Sequence, residues 1–327
     1  MYKSKLNLIQ TEIAIKQIKD NFEKSLADAL NLTRVSAPLF VLNGSGLNDN
    51  LSGIERPVSF DIKETGAVAE VVQSLAKWKR FALHYYGFDV DSGLYTDMNA
   101  IRRDEVCDEV HSLYVDQWDW ERVICAEERN INFLKEIVTK IYSAIYNTAR
   151  MISKIYPQII NELPKEIFFV TSQQMEDRYP SMTPQEREYA YCKEYGAIFV
   201  IGIGDFLRSG ERHDNRAPDY DDWSMNGDIL LYYPLLDRAI ELSSMGIRVD
   251  KETMLAQLEK RNLLERVSLP FHKELLAGNL PLTIGGGIGQ SRLCMILLQK
   301  AHIGEVQNSV WPESEIKDCK KRNIFLL

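Results

Sequence analysis

The sequence predicts an α+β fold in which helices flank an antiparallel β-sheet. Short strand-like runs follow one another with turns or loops between most of them, and helical periodicity covers residues 11–30 and 126–156. No repeat, low-complexity tract or Pro/Ser-rich linker marks a domain boundary. At 327 residues and 45% hydrophobic composition, the chain can bury a large core, so we expect one domain over residues 1–327.

Two helices are predicted from apolar spacing. In residues 11–30, apolar side chains such as Ile18, Phe22 and Leu26 recur at helical intervals, and Asn31 follows as a stop signal. The longest helical pattern covers residues 126–156, where Leu134 and Ile141 belong to one apolar face. We expect this second helix to cover the sheet.

The strand-like runs begin with "RVSAPLFVL", which Pro38 interrupts, as is typical of a sheet edge or a contact between chains. The runs "RPVSFDI", "VAEVVQ", "GLYTDMNAI" and "SLYVDQWDWE" follow. Because most of these links are too short for crossover helices, the pattern favours antiparallel pairing.

The last of these runs carries an unusual row of polar side chains. Period-two alternation puts Val115, Gln117, Asp119 and Glu121 on one face and the tryptophans of the run on the other. Buried polar groups are unfavourable unless they are paired, so the row indicates a surface that binds a ligand. A solvent-facing strand is the alternative.

The stretch "TIGGGIGQSRL" looks at first like a phosphate-binding loop. It lacks the Lys-Ser/Thr ending of a Walker loop, and its spacing is not GxGxxG. It predicts instead a strand that runs into a helix, with Arg292 near the junction and glycines, among them Gly287, where a flat ligand could lie on the backbone. A tight packing corner with a surface arginine is the alternative.

Composition excludes several classes of protein. Lys and Arg number 39 against 47 Asp and Glu, and the resulting net charge of -8 disfavours a nucleic-acid partner, although a small anion such as a nucleoside triphosphate remains possible. No apolar run approaches the roughly 18 residues that a membrane span needs, so we expect no membrane partner and a cytoplasmic location. The absence of CxxC and HxxxH spacings disfavours a disulfide scaffold and a zinc site.

Taken together, these segments resemble the catalytic core of class II aminoacyl-tRNA synthetases. Pro38 matches that family's first motif, Arg102 with "VDQWDWE" the second, and Arg292 after the glycines the third. Ser291 departs from the pattern, because the synthetases usually carry an acidic residue before the arginine.

A closer resemblance, over essentially the whole chain, is to the ammonia-dependent asparagine synthetases, also called aspartate-ammonia ligases. It is carried by "DNLSG", "QSLAKWKR", "HSLYVDQWDWE", "RAPDYDDWS", "NGDIL", "ELSSMGIRVD" and "IGGGIGQSR", in that order. The resemblance implies that aspartate, ATP and ammonia become asparagine, AMP and pyrophosphate through a β-aspartyl-adenylate. It also implies a homodimer with its contact around Pro38.

The same resemblance implies where ATP binds. Arg102 would hold the α-phosphate and the reacting carboxylate, and Arg292 the bent triphosphate tail, since a guanidinium fork suits both tasks. Gln117 and Gly287 would also line the ATP site. Magnesium would need carboxylate oxygens beside the phosphates. The candidates for the metal and ATP are Asp221, Asp228 and Glu241.

The aspartate pocket needs both signs of charge. Lys79 and Arg248 would bind carboxylates, whereas Asp119 and Gln117 would receive the amine or the carbonyl. Lys77 and Lys79 would ordinarily form a solvated helix face, and the resemblance favours Lys79 as the inward one. Further hydrogen-bond donors to the substrate are Ser74, Ser112 and Ser244.

Asp49 is predicted as a catalytic and substrate-binding residue. Ammonium must lose a proton before it attacks the acyl group, and the resemblance places "DNLSG" at the pocket, so Asp49 would orient or deprotonate it. A turn residue is the alternative, because Asn-Asp-Asn strings commonly form turns.

Two rival functions remain open. A class II synthetase-like enzyme could pass its adenylate to another acceptor, but the motifs span about residues 30–295 and leave no room for a tRNA-reading domain. A regulatory paralogue without catalysis would be expected to lack a motif arginine or the metal carboxylates, and all of them are present.

Overall fold

The computed structural model describes residues 2–48, 51 and 55–327, in which helices surround a large sheet and a small one. The helices are α1 Leu8–Leu30, α2 Ala76–Tyr86, α3 Ile131–Ile155, α4 Ser172–Arg178, α5 Pro184–Tyr195, α6 Lys251–Lys260, α7 Pro270–Leu276, α8 Gln290–Leu297 and α9 Glu313–Arg322. The strands are β1 Leu32–Arg34, β2 Phe40–Leu42, β3 Ser59–Asp61, β4 Val68–Val71, β5 Gly93–Ile101, β6 Tyr114–Val123, β7 Phe168–Thr171, β8 Ala197–Ile201, β9 Asp221–Tyr233, β10 Arg238–Arg248 and β11 Thr283–Gly289.

The large sheet is mixed, so the predicted antiparallel sheet is only partly right. Its strand order is β1-β5-β6-β11-β10-β9-β8-β7. The strands from β5 to β8 pair antiparallel, but β1 pairs parallel with β5, and β7 pairs parallel with β8. Parallel neighbours need long crossovers. The helices α4 and α5 supply the crossover between β7 and β8, and the sequence pattern did not identify either helix.

The two predicted helices form, with shifted starts. The predicted 11–30 helix begins at Leu8 because the side chain of Asn7 accepts a hydrogen bond from the Gln10 amide at 2.8 Å. The predicted 126–156 helix begins only at Ile131, after a short 3₁₀ turn, because Asn130 caps its first turn. Capping side chains therefore set both starts, whereas apolar spacing located the helix bodies.

The main core lies between the large sheet and the layer of α1 and α3. The predicted alternation of β6 is confirmed on this face, where Trp118 and Trp120 are fully buried. The ring of Phe22 on α1 lies 4.7 Å from that of Trp118, centroid to centroid. This packing holds the tryptophan face of β6 against α1. Because side chains alternate along a strand, the polar row points to the opposite face of the sheet.

On that opposite face the sheet is only partly covered. Helix α2 packs over β6, and a three-stranded sheet in the order β2-β4-β3 lies in the chain between β1 and α2. Among the described residues, no helix is long and apolar enough to cross a membrane. The incomplete cover leaves the polar row of β6 at the floor of a group of cavities.

Candidate active site

Three adjoining cavities lie over the centre of the large sheet. An inner cavity of about 100 Å³ includes Lys79 and Arg248, and an outer cavity of about 200 Å³ includes Arg292. Both are lined by Arg102, Gln117 and Gly287. A third, the tail cavity of about 330 Å³, shares Arg292 with the outer one. The cavities therefore form a connected system along neighbouring strands.

Lys79 is the buried cation of the inner cavity. Helix α2 directs it onto β6, where its Nζ forms an ion pair with the Asp119 carboxylate and donates to the Trp120 carbonyl at 2.9 Å. A longer contact of 3.6 Å reaches the Glu121 carboxylate. Because Lys79 is fully buried, these partners are what makes its charge tolerable there. The arrangement places an ammonium between two carboxylates of the polar row.

Arg248 is the second buried cation, at the end of β10. It contacts Glu121 through Nη2 at 2.8 Å and through Nε at 3.1 Å, and it pairs with the Asp221 carboxylate. Burial acts to raise the pKa of Glu121, but the charges of Arg248 and Lys79 bring it below its usual value. Burial raises the pKa of Asp221 despite Arg248. Glu121 is therefore the anion that holds both inner cations in place.

The glycines of β11 make room for the polar row. A Cβ at Gly287 would lie 2.5 Å from Gln117 Oε1, and one at Gly285 would lie 2.7 Å from Arg248 Nη2. The strand pairs with β6 on one side and β10 on the other, so side chains of both neighbours cross above it. This close approach is the local reason for the glycine run.

Arg102 and Arg292 are the two arginines that line the outer cavity, where the charges of Glu241 and Glu105 also act on Arg102. Neither forms an ion pair with a described residue, and Arg102 Nε is buried with no hydrogen-bond partner in the described parts of the chain. Arg292 Nη1 donates to the Glu241 carbonyl at 2.8 Å. Burial lowers the pKa of Arg102, and the charge of Arg292 lowers it further. Two guanidinium groups close together without a carboxylate partner are suited to an anion such as a phosphate.

Four carboxylates line the tail cavity with Arg292, and two of them, Asp228 and Glu241, are the predicted metal candidates. Burial raises the pKa of Asp228 to about 7; Arg216, which pairs with it, opposes the rise, and Glu241 adds to it. Oδ1 of Asp228 is buried and makes no hydrogen bond of ordinary geometry to a described residue. Carboxylate oxygens beside phosphate-binding arginines are the ligands that Mg²⁺ prefers, so Asp228 and Glu241 fit the predicted metal.

Most predicted site residues meet in these cavities. The residues confined to the inner cavity are Ser74, Lys79, Asp119, Asp221, Ser244 and Arg248. Arg102, Gln117 and Gly287 line both the inner and the outer cavity. Glu241 and Arg292 line the outer and tail cavities, and Asp228 lines the tail cavity alone. Asp49 lies outside the described residues.

Two residues are separated from their predicted partners. Ser112, expected at the aspartate pocket, lines the outer cavity instead, and its hydroxyl donates to Ser309 Oγ at 2.9 Å. Asp221, expected with the metal carboxylates, lines the inner cavity and pairs with Arg248. The sequence could not separate these positions, because strand pairing decides which cavity each one faces.

Other charged residues were assigned no role at the site from the sequence, although Glu121 was placed in the polar row. Arg216 and Glu121 are joined to predicted residues by the ion pairs described above. Lys77, expected to be solvated, is also buried, and its Nζ lies 3.0 Å from Asp219 Oδ2. Arg216 is the first residue of "RAPDYDDWS", one of the segments that carry the family resemblance, and this position was the signal that could have identified it.

Comparisons with known proteins agree on a family. The sequence model of a family described as aspartate-ammonia ligase matches residues 9–323. An aspartate-ammonia ligase of Clostridium perfringens is 62% identical over 327 residues, covering 100% of this chain and 97% of its own length. One from Fusobacterium nucleatum is 57% identical over 326 residues, at 100% and 99% coverage.

Solved structures show the same fold at low identity. An asparaginyl-tRNA synthetase of Entamoeba histolytica, in complex with asparaginyl-adenylate, matches with a TM-score of 0.64 at 16% identity over 92% of this chain, which spans 66% of that protein. The Pyrococcus horikoshii asparaginyl-tRNA synthetase complexed with asparaginyl-adenylate matches with a TM-score of 0.65 at 14% identity, over 93% and 70% of the two chains. The predicted class II synthetase fold is thereby confirmed.

Proposed function

The chain belongs to the aspartate-ammonia ligase family, and from this premise we propose that it makes L-asparagine from L-aspartate, ATP and ammonia through a β-aspartyl-adenylate. One observation of the site carries the proposal. Arg102 lines both the inner and the outer cavity and forms no ion pair with a described residue. It is therefore available to the two anions, a carboxylate and an α-phosphate, that adenylation must bring together.

Aspartate binds in the inner cavity. Lys79 and Arg248 supply the positive charge for its carboxylates, and Asp119 with Gln117 supplies the polar contacts for its ammonium group and carbonyl. Ser74 and Ser244 line the same cavity and can donate hydrogen bonds. Asp221 lines the same pocket and pairs with Arg248, and it stays a candidate for the metal with Asp228 and Glu241.

ATP binds across the outer and tail cavities. Gly287 lines the outer cavity beside Gln117, and Arg292 lines the tail cavity, where Arg216 pairs with Asp228. Asp228 and Glu241 would hold Mg²⁺ there, and Ser112 contributes to the nucleotide side rather than to aspartate. When bound, the metal neutralises charge on the phosphates and the leaving pyrophosphate.

The chemistry proceeds in two balanced steps. A β-carboxylate oxygen of aspartate forms a bond to the α-phosphorus, the bond from that phosphorus to pyrophosphate breaks, and Arg102 stabilises the charge that accumulates between the two anions. Ammonia then forms a bond to the acyl carbon, the attacking nitrogen loses one proton to solvent, and the acyl–oxygen bond breaks so that AMP leaves with the carboxylate oxygen. Ammonium must lose a proton first, and we propose Asp49 as the residue that orients it or accepts the proton.

We also propose that the protein is a homodimer and that it is cytoplasmic. The dimer contact would lie around Pro38 and the small sheet, where large apolar side chains are exposed. These side chains are Leu39, Phe40, Leu42, Phe60 and Val68. An apolar surface of this kind on a soluble chain commonly marks a contact with another protein. The cytoplasmic location rests on the sequence composition alone.

A product assay tests the proposed reaction. Purified protein is incubated with ATP, MgCl₂, aspartate and an ammonium salt without RNA, and asparagine, AMP and ADP are quantified. We expect asparagine and AMP in equal amounts. Pyrophosphate exchange without asparagine would instead favour an enzyme that passes its adenylate to another acceptor, and ADP as the nucleotide product would contradict the adenylate.

A further inference from the structure

Helix α8 presents Arg292 to the phosphate side of the site. The residue before it, Ser291, is held by two hydrogen bonds to one side chain. Ser291 is buried, and both its backbone amide and its hydroxyl are bound by one side chain, Asp116. The distances are 3.0 Å from the amide to Asp116 Oδ1 and 2.8 Å from the hydroxyl to Oδ2. The start of α8 is thus attached to β6 by a two-point contact.

Asp116 lies on the tryptophan face of β6, opposite the polar row, and it borders the outer cavity together with Ser291. It is buried and pairs with Lys19 of α1 at 3.0 Å. Gln307 donates to Ser291 Oγ at 3.0 Å and closes the network. A buried carboxylate is unfavourable unless it is paired, so Asp116, which pairs with Lys19 and accepts both hydrogen bonds of Ser291, is held in one arrangement.

The location of the carboxylate has a physical consequence. Asp116 contacts the first turn of α8, where unpaired amides and the helix dipole favour a negative charge. Position 291, in the first turn of the helix, is a serine and carries no charge of its own. The neighbouring strand therefore delivers the charge that position 291 lacks.

We propose that Asp116 is a positioning residue for ATP, which anchors α8 to β6 and thereby aims the Arg292 guanidinium at the triphosphate tail. The inference rests on the proposed function, in which Arg292 binds that tail. Arg292 itself is held by carbonyl groups, at 2.8 Å from Glu241 and 3.4 Å from Val110. These contacts depend on where the helix starts, so loss of the anchor displaces the guanidinium relative to the phosphates.

The test compares Asp116→Ser with a swap in which Asp116→Ser is combined with Ser291→Asp. We expect Asp116→Ser to lower kcat/KM for ATP by about 10- to 100-fold, the range that a misplacement of about 1 Å can produce, with little change in KM for aspartate. The swap keeps the composition and the net charge of the pair. We therefore expect its kcat/KM for ATP to be at least about tenfold higher than that of Asp116→Ser alone.

Two further variants keep the outcome interpretable. Tyr95→Phe removes another hydrogen bond between the sheet and α1, 2.7 Å from Tyr95 Oη to Glu23, and we expect ATP kinetics like those of the wild type. If Asp116→Ser does not fold, Ser291→Ala leaves the pair of Asp116 and Lys19 intact. We expect it to reduce the same parameter about 3- to 10-fold, as the loss of one hydrogen bond to a charged group would.

The outcomes separate this inference from the proposed function. If Arg292→Gln leaves ATP kinetics unchanged, the proposed role of Arg292 fails, and the inference fails with it. If Arg292→Gln loses ATP binding but Asp116→Ser is normal, only the inference fails. It also fails if ATP and aspartate parameters fall together with the melting temperature, or if the swap is no better than Asp116→Ser.

Discussion

Arg102 and Arg292 are neighbouring guanidinium groups of the outer cavity, and neither forms an ion pair with a described carboxylate, although the charges of Glu241 and Glu105 act on Arg102. Two such groups repel each other, and the burial of Arg102 makes its charge still less favourable. An anionic ligand relieves both effects at once. This explains why the site would bind the phosphates of ATP strongly and why the shape of the guanidinium matters as well as its charge.

Replacing Arg102 by lysine tests that explanation. Arg102→Lys keeps the charge but loses the planar fork, so we expect kcat for pyrophosphate exchange to fall by about 100- to 1,000-fold. Arg103→Lys is the matched control, because Arg103 is the exposed neighbour and lines neither the inner nor the outer cavity. Equal losses in both variants would argue against a specific role for Arg102.

Asp228 gives a prediction for the stability of the metal-free protein. Its folded pKa of about 7 lies above the value of about 3.9 expected in the unfolded chain. The folded state therefore binds an extra proton between those values, and this contribution to stability is complete below about pH 4 and is lost as the pH rises through about 7. Asp228→Asn removes the contribution and its pH dependence.

Urea denaturation in EDTA at pH 5, 6, 7 and 8 checks this expectation. The unfolding free energy of the wild type should decline relative to that of Asp228→Asn by about 1 kcal/mol per pH unit up to about pH 7. Parallel curves for the two proteins would mean that Asp228 is ionised throughout this range.

At the scale of elements, strand β11 is closely crowded by side chains of its neighbours β6 and β10. A Cβ at Gly285 would lie well inside contact distance of Glu121 Oε2, whereas one at Gly289 would meet Arg292 Cβ at an ordinary 3.4 Å. Gly285→Ala should therefore destabilise the protein by about 1 to 3 kcal/mol through overpacking, and Gly289→Ala by much less. Equal denaturation midpoints for the two variants would be inconsistent with the crowding at Gly285.

Local signals predicted β5, β6 and β11, but they did not predict β9 and β10, nor how distant elements meet. The alternation in β6 and the glycines of β11 were visible because each lies within one short stretch of chain. Glu121 is bound by Arg248 of β10 and by Thr283 of β11. Only strand pairing brings these two partners to it. The parallel edge strands were missed for a similar reason, since crossover helices leave no signal in the strands themselves.

Resemblance supplied what periodicity could not. Pattern alone could favour a strand-to-helix corner at Arg292, but not the substrate that it serves. It could not assign Ser112 and Ser74 to different cavities either, because nothing local to a serine specifies which cavity it faces. The family segments identified these residues in the sequence. The strands that carry them decide which cavity each residue lines.

At the scale of the molecule, the exposed apolar side chains of the small sheet predict a dimer that one substitution weakens. Phe40 is 46% exposed, and its ring lies 5.1 Å from that of Phe60. Phe40→Glu should shift the protein from twice the 37.6 kDa chain mass towards a monomer in analytical ultracentrifugation, because a buried charge opposes association. Phe325→Glu, at a comparably exposed phenylalanine, should not. A wild-type monomer would refute the proposed dimer.

The central claim is that aspartate is activated as an adenylate in the cavities joined by Arg102. The most direct measurement uses aspartate labelled with ¹⁸O in its β-carboxylate, followed by mass spectrometry of the nucleotide product. Because the acyl–oxygen bond breaks when ammonia attacks, the account predicts one ¹⁸O in each AMP, with asparagine formed in equal amount. Label in inorganic phosphate with ADP as the nucleotide, or unlabelled AMP, would contradict it.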